Sequence, residues 1–261
     1  MLHWHSLGEE AVPADDDWLS AVEQAHVARM RFTKRRSEWR VARWTAKHAL
    51  ARTLGLEADA GTMRRVEVRA RLEPDVRGAP YVVVDGEPTG TAISMTDRAG
   101  WAVCVVGRRG SIGCDLELDE PRSAAFVRDY LTTSERRLVA APPLGLTPDA
   151  TANLVWSAKE SALKVLRTGL RRDTRSVEVT LGDDDPSAGW RPLMVRDRDD
   201  GGCFPGWWQR FSSVFLLTVA ASYEHPPPDA LDVPPALAGA TPTHAWMARP
   251  LAEDAATAAT P

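Results

Sequence analysis

The chain is poor in cysteine and has no long apolar run. Its 261 residues include three cysteines, Cys104, Cys114 and Cys203, widely spaced and without a Cys-x-x-Cys pair. That excludes a disulfide framework and a thiolate zinc site, and it fits a reducing compartment. No uninterrupted apolar stretch approaches the roughly 18 residues that span a bilayer, so no membrane segment is expected. The N-terminus is acidic from Glu9 to Asp17 and lacks the basic-then-apolar order of a secretory signal. A cytoplasmic protein is the expectation. Residues 1–28 contain no Lys or Arg, and the whole chain carries a formal net charge of −4. That balance argues against a dedicated nucleic-acid binder. With 44% hydrophobic and 26% charged residues, the composition is that of a globular protein of one large domain or two lobes.

Against this acidic background one stretch stands out. Between Arg29 and Lys47 lie eight basic residues (Arg29, Arg31, Lys34, Arg35, Arg36, Arg40, Arg43, Lys47) against a single acid, Glu38. Interleaved Phe32, Trp39, Trp44 and Leu50 predict a helix running to about Leu54, stopped by Gly55. Most charge runs are solvated faces. Eight bases against one acid repel one another, however, unless an anionic partner is near: a polyphosphate small molecule, an acidic protein surface or nucleic acid.

Strand-like runs follow. Tyr81–Asp85 ends in an Asp85-Gly86 turn. Trp101–Gly107 and Ser111–Leu118 are joined by Arg108-Arg109-Gly110 and read as a hairpin. Helices are expected at Ser123–Leu131, Ser134–Ala140 and about Asp149–Leu166, with strands at Val177–Leu181 and Val214–Ser222. The elements lack regular βαβ alternation, so the expected fold class is α+β, two similar lobes with a seam near Arg108–Ser111. The divisions are an N-terminal lobe over 1–110, a C-terminal lobe over 111–225 and a tail over 226–261. The tail holds eight Pro and eleven Ala in 36 residues and is expected to be mobile and free of chemistry.

Two short motifs can carry chemistry. On the strand Gly113-Cys114-Asp115-Leu116-Glu117, alternation puts Asp115 and Glu117 on one face. Neighbouring carboxylates repel unless something positive lies between them, and a hard cation such as Mg²⁺ meets that need. Two solvated acids at a strand end are the plainer alternative. In Trp156-Ser157-Ala158-Lys159-Glu160-Ser161-Ala162-Leu163-Lys164, Glu160 and Lys164 share a helix face at a spacing that also suits an ordinary surface ion pair.

Together, in this order and some forty residues apart, the two motifs resemble the signature of the 4′-phosphopantetheinyl transferase superfamily, Gly-x-Asp-x-Glu followed by Trp-Ser-x-Lys-Glu-Ser-x-x-Lys. Gly169-Leu170 falls where that family carries a Gly-Leu. The length resembles the larger, surfactin-synthetase-activating type, in which two similar α/β lobes of one chain imitate a dimer, and so implies a monomer. Phe32 through Trp39 with Arg43 is similar to the family segment that holds the 3′-phosphate of coenzyme A. Gly78-Ala79-Pro80 resembles its Gly-x-Pro turn, and Ser94–Val103 its Ser-x-Ser-His segment, with Thr96 and Asp97 standing for the Ser and His.

The resemblance implies transfer of 4′-phosphopantetheine from coenzyme A to a serine of an apo acyl or peptidyl carrier protein, releasing 3′,5′-ADP. It implies Mg²⁺ on Asp115, Glu117 and Glu160, catalysis by Glu160 and Lys164, and coenzyme A contacts from Arg36, Arg43, Thr96 and Lys164. Lys159 is a lesser candidate, and Glu135 is either a further acid near the site or a helix cap. A non-catalytic coenzyme A or nucleotide-binding protein, motivated by Asp97, and a metal-dependent nucleotide hydrolase are the alternatives.

Overall fold

The computed structural model describes residues 1–143, 145–182 and 189–243. In chain order the elements are β1 (Leu2–Gly8), α1 (Ala21–Val27), α2 (Thr33–Leu54), α3 (Ala60–Arg65), β2 (Val66–Ala70) and β3 (Pro80–Val84). After them come β4 (Glu87–Pro88), β5 (Ala92–Arg98), β6 (Trp101–Gly107), β7 (Ile112–Leu118), α4 (Ala124–Tyr130) and α5 (Thr133–Ala140). The last six are α6 (Pro148–Val165), β8 (Val177–Leu181), β9 (Arg191–Asp197), β10 (Cys203–Phe211), β11 (Phe215–Ala221) and β12 (Asp229–Ala230). Among the described residues no helix is long and apolar enough to cross a membrane.

The fold is α+β, and its two halves follow one plan: a long helix lying on a mainly antiparallel sheet. In the first half the sheet order is β12-β1-β6-β5, and a small sheet β2-β3-β4 stands beside it. In the second the order is β7-β11-β10-β9-β8. The helix α2 buries Val41, Ala42, Thr45, Ala46, Ala49 and Leu50, a stripe at helical spacing, and stops where Gly55 turns left-handed at φ 70°. The helix α6 starts on a Thr147 cap with Pro148 at its first position and is buried almost all round.

The halves meet where β5 runs along β7. Two hydroxyls join them there: Cys114 N–H donates to Ser94 Oγ at 2.9 Å and Leu116 N–H to Thr96 Oγ1 at 3.2 Å. The second of these bonds lies next to Asp115.

Two expectations need correcting. The two apolar runs around Arg108-Arg109-Gly110 are strands but not partners: β6 lies between β1 and β5, while β7 pairs with β11. Both edges of β6 are filled, by β5 and by β1, whose His-Trp-His sequence gives no obvious strand signal. The tail differs as well. Residues 226–243 lie on the body: β12 adds to β1 in parallel, Leu231 N–H donates to Trp4 O at 2.8 Å, and Trp101 Nε1 donates to Thr241 O at 2.7 Å. Leu237 and Ala240 are buried in the core with Trp4 and Phe211. A few apolar side chains and satisfied backbone groups are enough to dock a Pro/Ala-rich segment. Residues 244–261, with Trp246, lie outside the described residues.

Candidate active site

The site is built on the close approach of α6 to β7, which depends on Gly113. A Cβ at that position would stand 1.9 Å from Ser161 O, so only glycine lets the helix backbone sit this near the strand. Asp115, Glu160 and Lys164 are thereby brought together. Lys164 Nζ donates to Asp115 Oδ1 at 2.9 Å and to Cys114 O at 2.7 Å. Thr96 Oγ1 donates to the same Asp115 oxygen at 3.2 Å, and Ser157 Oγ donates to Asp115 O at 3.0 Å. The other carboxylate oxygen, Asp115 Oδ2, is buried with no hydrogen-bond partner.

The electrostatics follow from this crowding. Burial, then the charge of Asp115, pushes the Glu160 carboxyl up to about 8, and Lys164 pulls the other way. Burial would depress the Lys164 ammonium, but Asp115, Cys114 and Glu160 outweigh it and hold the group above its ordinary value. Burial and then Asp115 also raise the Glu117 carboxyl. Glu117 is placed differently from the other two acids: its Oε2 lies 3.1 Å from Arg122 Nη2 and 3.3 Å from Arg98 Nε. Among the described residues, no three His, Cys, Asp or Glu side chains stand grouped to hold a metal ion. An orphaned buried carboxylate oxygen beside a carboxyl that resists ionising is nevertheless what a hard cation would relieve. Asp115 and Glu160 fit that group, and Glu117 would reach it only against its arginines.

Beside this cluster opens a cavity of about 940 Å³, which Lys164 lines and Asp115, Glu117 and Glu160 do not. Arg35, Arg43, Arg69, Arg71, Arg77, Lys164, Arg167 and Arg171 line it, against only two acids, Glu38 and Asp97. In a net-acidic chain that is a concentrated positive field. Arg43 has its guanidinium 4.9 Å from the Trp39 ring centre and 3.6 Å from Met95 Sδ, with no carboxylate partner among the described residues. Asp97 lines the cavity too as an exposed side chain, and the surrounding protein followed by the charge of Glu38 raises its carboxyl above the ordinary value.

Two expected coenzyme A contacts are placed otherwise. Arg36 is not among the lining residues. It turns to Asp16, with 3.1 Å between Nη2 and Oδ2, because successive helix residues point about 100° apart and it is Arg35 that faces the cavity. Thr96 also lies off the lining, its hydroxyl engaged by Asp115 and Leu116, so it orients Asp115.

Residues 111–191 match the model of the 4′-phosphopantetheinyl transferase superfamily. No curated protein matches the chain. The superfamily match takes in Asp115, Glu117, Glu160 and Lys164, while α2 and β5, with the cavity residues Arg43 and Asp97 and with Thr96 behind them, lie before it.

Within the matched segment two residues prove to be scaffold. Lys159, fully buried, pairs with Glu135 at 2.8 Å and donates to Thr174 O and Val177 O at 2.9 and 2.6 Å. Glu135 completes a capping box with Thr132 and accepts from Val179 N–H at 2.8 Å, so it is a cap and not an acid of the site. The first half repeats this arrangement outside the superfamily match. Lys47 pairs with Glu23 at 2.6 Å, Glu23 closes a capping box with Ser20, and Val68 N–H donates to it at 3.4 Å. The signal was present in the sequence as Trp44-Thr45-Ala46-Lys47-His48 against Trp156-Ser157-Ala158-Lys159-Glu160. By that repeat His48 stands where the second half carries Glu160.

Proposed function

We propose that this protein transfers the 4′-phosphopantetheine group of coenzyme A to a serine of an apo acyl or peptidyl carrier protein, releasing 3′,5′-ADP. The observation that carries this reading is the Asp115–Glu160–Lys164 cluster, whose Lys164 lines a cavity together with seven arginines, against two acids. Such a cavity suits a ligand with several phosphates. Arg35 and Arg43 from α2, with Arg69, Arg71 and Arg171, bind and orient it. Mg²⁺ held by Asp115 and Glu160 would supply charge neutralisation to the diphosphate.

The serine oxygen attacks the phosphorus that bears the pantetheine arm, and the bond to the oxygen of 3′,5′-ADP breaks. The hydroxyl proton passes to Glu160, the candidate base of the site. Lys164 spends two of its three N–H donors on Cys114 O and Asp115, which leaves one for a phosphate oxygen. Thr96 and Ser157 keep Asp115 in place. A single-chain, monomeric, cytoplasmic enzyme of the two-lobed surfactin-synthetase-activating type is part of the same proposal, resting on the repeated plan of the two halves.

The test is mass spectrometry of apo carrier proteins after incubation with coenzyme A and Mg²⁺. The expected result is a gain of one phosphopantetheine on the carrier serine, abolished in Asp115→Ala and Glu160→Gln. Release of 3′,5′-ADP without a modified carrier would point instead to nucleotide hydrolysis. Coenzyme A binding with neither outcome would leave a non-catalytic binding protein.

A further inference from the structure

Glu117 belongs to the Asp-x-Glu strand, yet two arginines hold it, and neither is loose. Arg122 Nε donates to Asn153 Oδ1 at 2.6 Å, its backbone N–H donates to Asp149 Oδ1 at 3.1 Å, and its guanidinium lies 4.6 Å from the Phe126 ring centre. Asn153 is itself buried and fixed, donating to Glu120 O at 2.7 Å and Asp149 O at 2.9 Å. Arg122 is thus pinned from α6, the helix that carries Glu160 and Lys164. Arg98, at the end of β5, reaches Glu117 from the other half of the molecule and is steadied by Glu120.

Two guanidinium groups on one carboxylate weaken it as a cation ligand, since each contributes a charge-assisted contact that a metal ion must share or displace. They also leave fixed positive charge beside the place where a divalent cation would sit. An incoming diphosphate changes that balance, because its own negative charge offsets the arginines and the ion together. We propose that Arg98 and Arg122, by holding Glu117, make the site take its divalent cation together with a diphosphate ester and only weakly alone. The proposal rests on the reading of the site as one for a cation and a diphosphate, and it goes further by making the two ligands mutually dependent. Linkage requires the dependence to be reciprocal, the cation tightening the diphosphate by the same factor.

Mn²⁺ is a suitable probe, followed by the spin-resonance signal of the free ion. Titrations are run with the full chain, with and without saturating coenzyme A and with no carrier protein, corrected by a Mn²⁺–coenzyme A titration in buffer. For the wild type, Mn²⁺ affinity at least tenfold higher in the presence of coenzyme A is expected. Arg98→Gln and Arg122→Gln should each tighten Mn²⁺ severalfold in the absence of coenzyme A and shrink the coupling. Arg98 is the less embedded of the two, so its variant keeps the test open if Arg122→Gln melts early. A wild-type coupling below twofold overturns the proposal. So does unchanged or weaker Mn²⁺ binding by the folded arginine variants without coenzyme A. This last arm uses no coenzyme A and no transfer step, so its failure is separate from failure of the transferase reading.

Discussion

Two lysines five residues apart on α6 each hold a buried carboxylate, but Lys159 is fully buried whereas Lys164 is 32% exposed and lines the cavity, so their substitutions should separate. Lys159 is fully buried against Glu135, so Lys159→Met leaves a buried carboxylate uncompensated. Breaking such a pair costs about 3–5 kcal/mol, and urea denaturation should show a loss of that size, partly restored by adding Glu135→Gln. Lys164→Ala should melt much closer to the wild type and lose transfer, and an active Lys164→Ala protein would remove Lys164 from the chemistry. The sequence carried Lys164 because a four-residue offset from Glu160 puts both on one face. It could not separate Arg35 from Arg36, since the Asp16 that draws Arg36 away lies in a segment with no motif. His48 offers a second residue-scale outcome. Burial, followed by the nearby His5 and Arg52 charges, lowers its pKa to about 4, while Asp232 opposes the shift. A histidine kept neutral when folded supports stability fully above its ordinary value near 6.5, and that support erodes as pH falls toward 4. Between pH 7.5 and 5 the wild type should lose about 1–2 kcal/mol more stability than His48→Phe, read from paired denaturation curves. Parallel losses would show that His48 does not carry the effect.

At the scale of elements, the long helices were readable and several strands were not. The helix α2 ends at Gly55 and α6 spans Pro148–Val165, both close to what periodicity and stop signals indicate. The strands β1, β9 and β10 mix His, Arg, Trp, Gly and Pro with apolar residues, so alternation is blurred; β1 takes its place from the distant β6 and β12, while β9 and β10 pair with each other and with their sequence neighbours. The C-terminal segment is the clearest such case. Proline and alanine content suggested a dispensable tail, but Leu237 is fully buried, and Arg52 contacts both Asp232 and Leu231 O. Ending the chain at His225 should therefore lower the melting temperature markedly. Leu237→Ala alone should cost about 2–5 kcal/mol, the range for deleting a buried leucine side chain. If calorimetry finds the truncated chain as stable as the full one, the docked segment adds nothing to the fold.

At the scale of the whole molecule, the charge is sorted. The chain is net acidic, yet its 940 Å³ cavity presents eight basic side chains to two acids, drawn from α2, the β2–β3 sheet and the end of α6. No single run in the sequence contains that set. The basic stretch from Arg29 to Lys47 contributes Arg35 and Arg43, whereas Arg69, Arg71, Arg77, Arg167 and Arg171 come from segments whose charge looks unremarkable until folding brings them to the same cavity. A field assembled this way acts on ligand charge over a distance, so it should be sensitive to salt in a manner that local hydrogen bonds are not. The screening length shrinks from about 10 Å at 0.1 M salt to about 3 Å at 1 M. Over that range coenzyme A affinity should fall tenfold or more, mainly through slower association. Pantetheine, which has no phosphates, should bind equally at both salts, however weakly. Arg43→Ala should weaken coenzyme A at low salt and flatten the dependence, because its guanidinium lacks a carboxylate partner among the described residues and is free to serve the ligand. Surface plasmon resonance at several ionic strengths reads all three quantities. A coenzyme A affinity that ignores salt, or an Arg43→Ala slope equal to that of the wild type, would show that the cavity's charge serves something other than a polyphosphate.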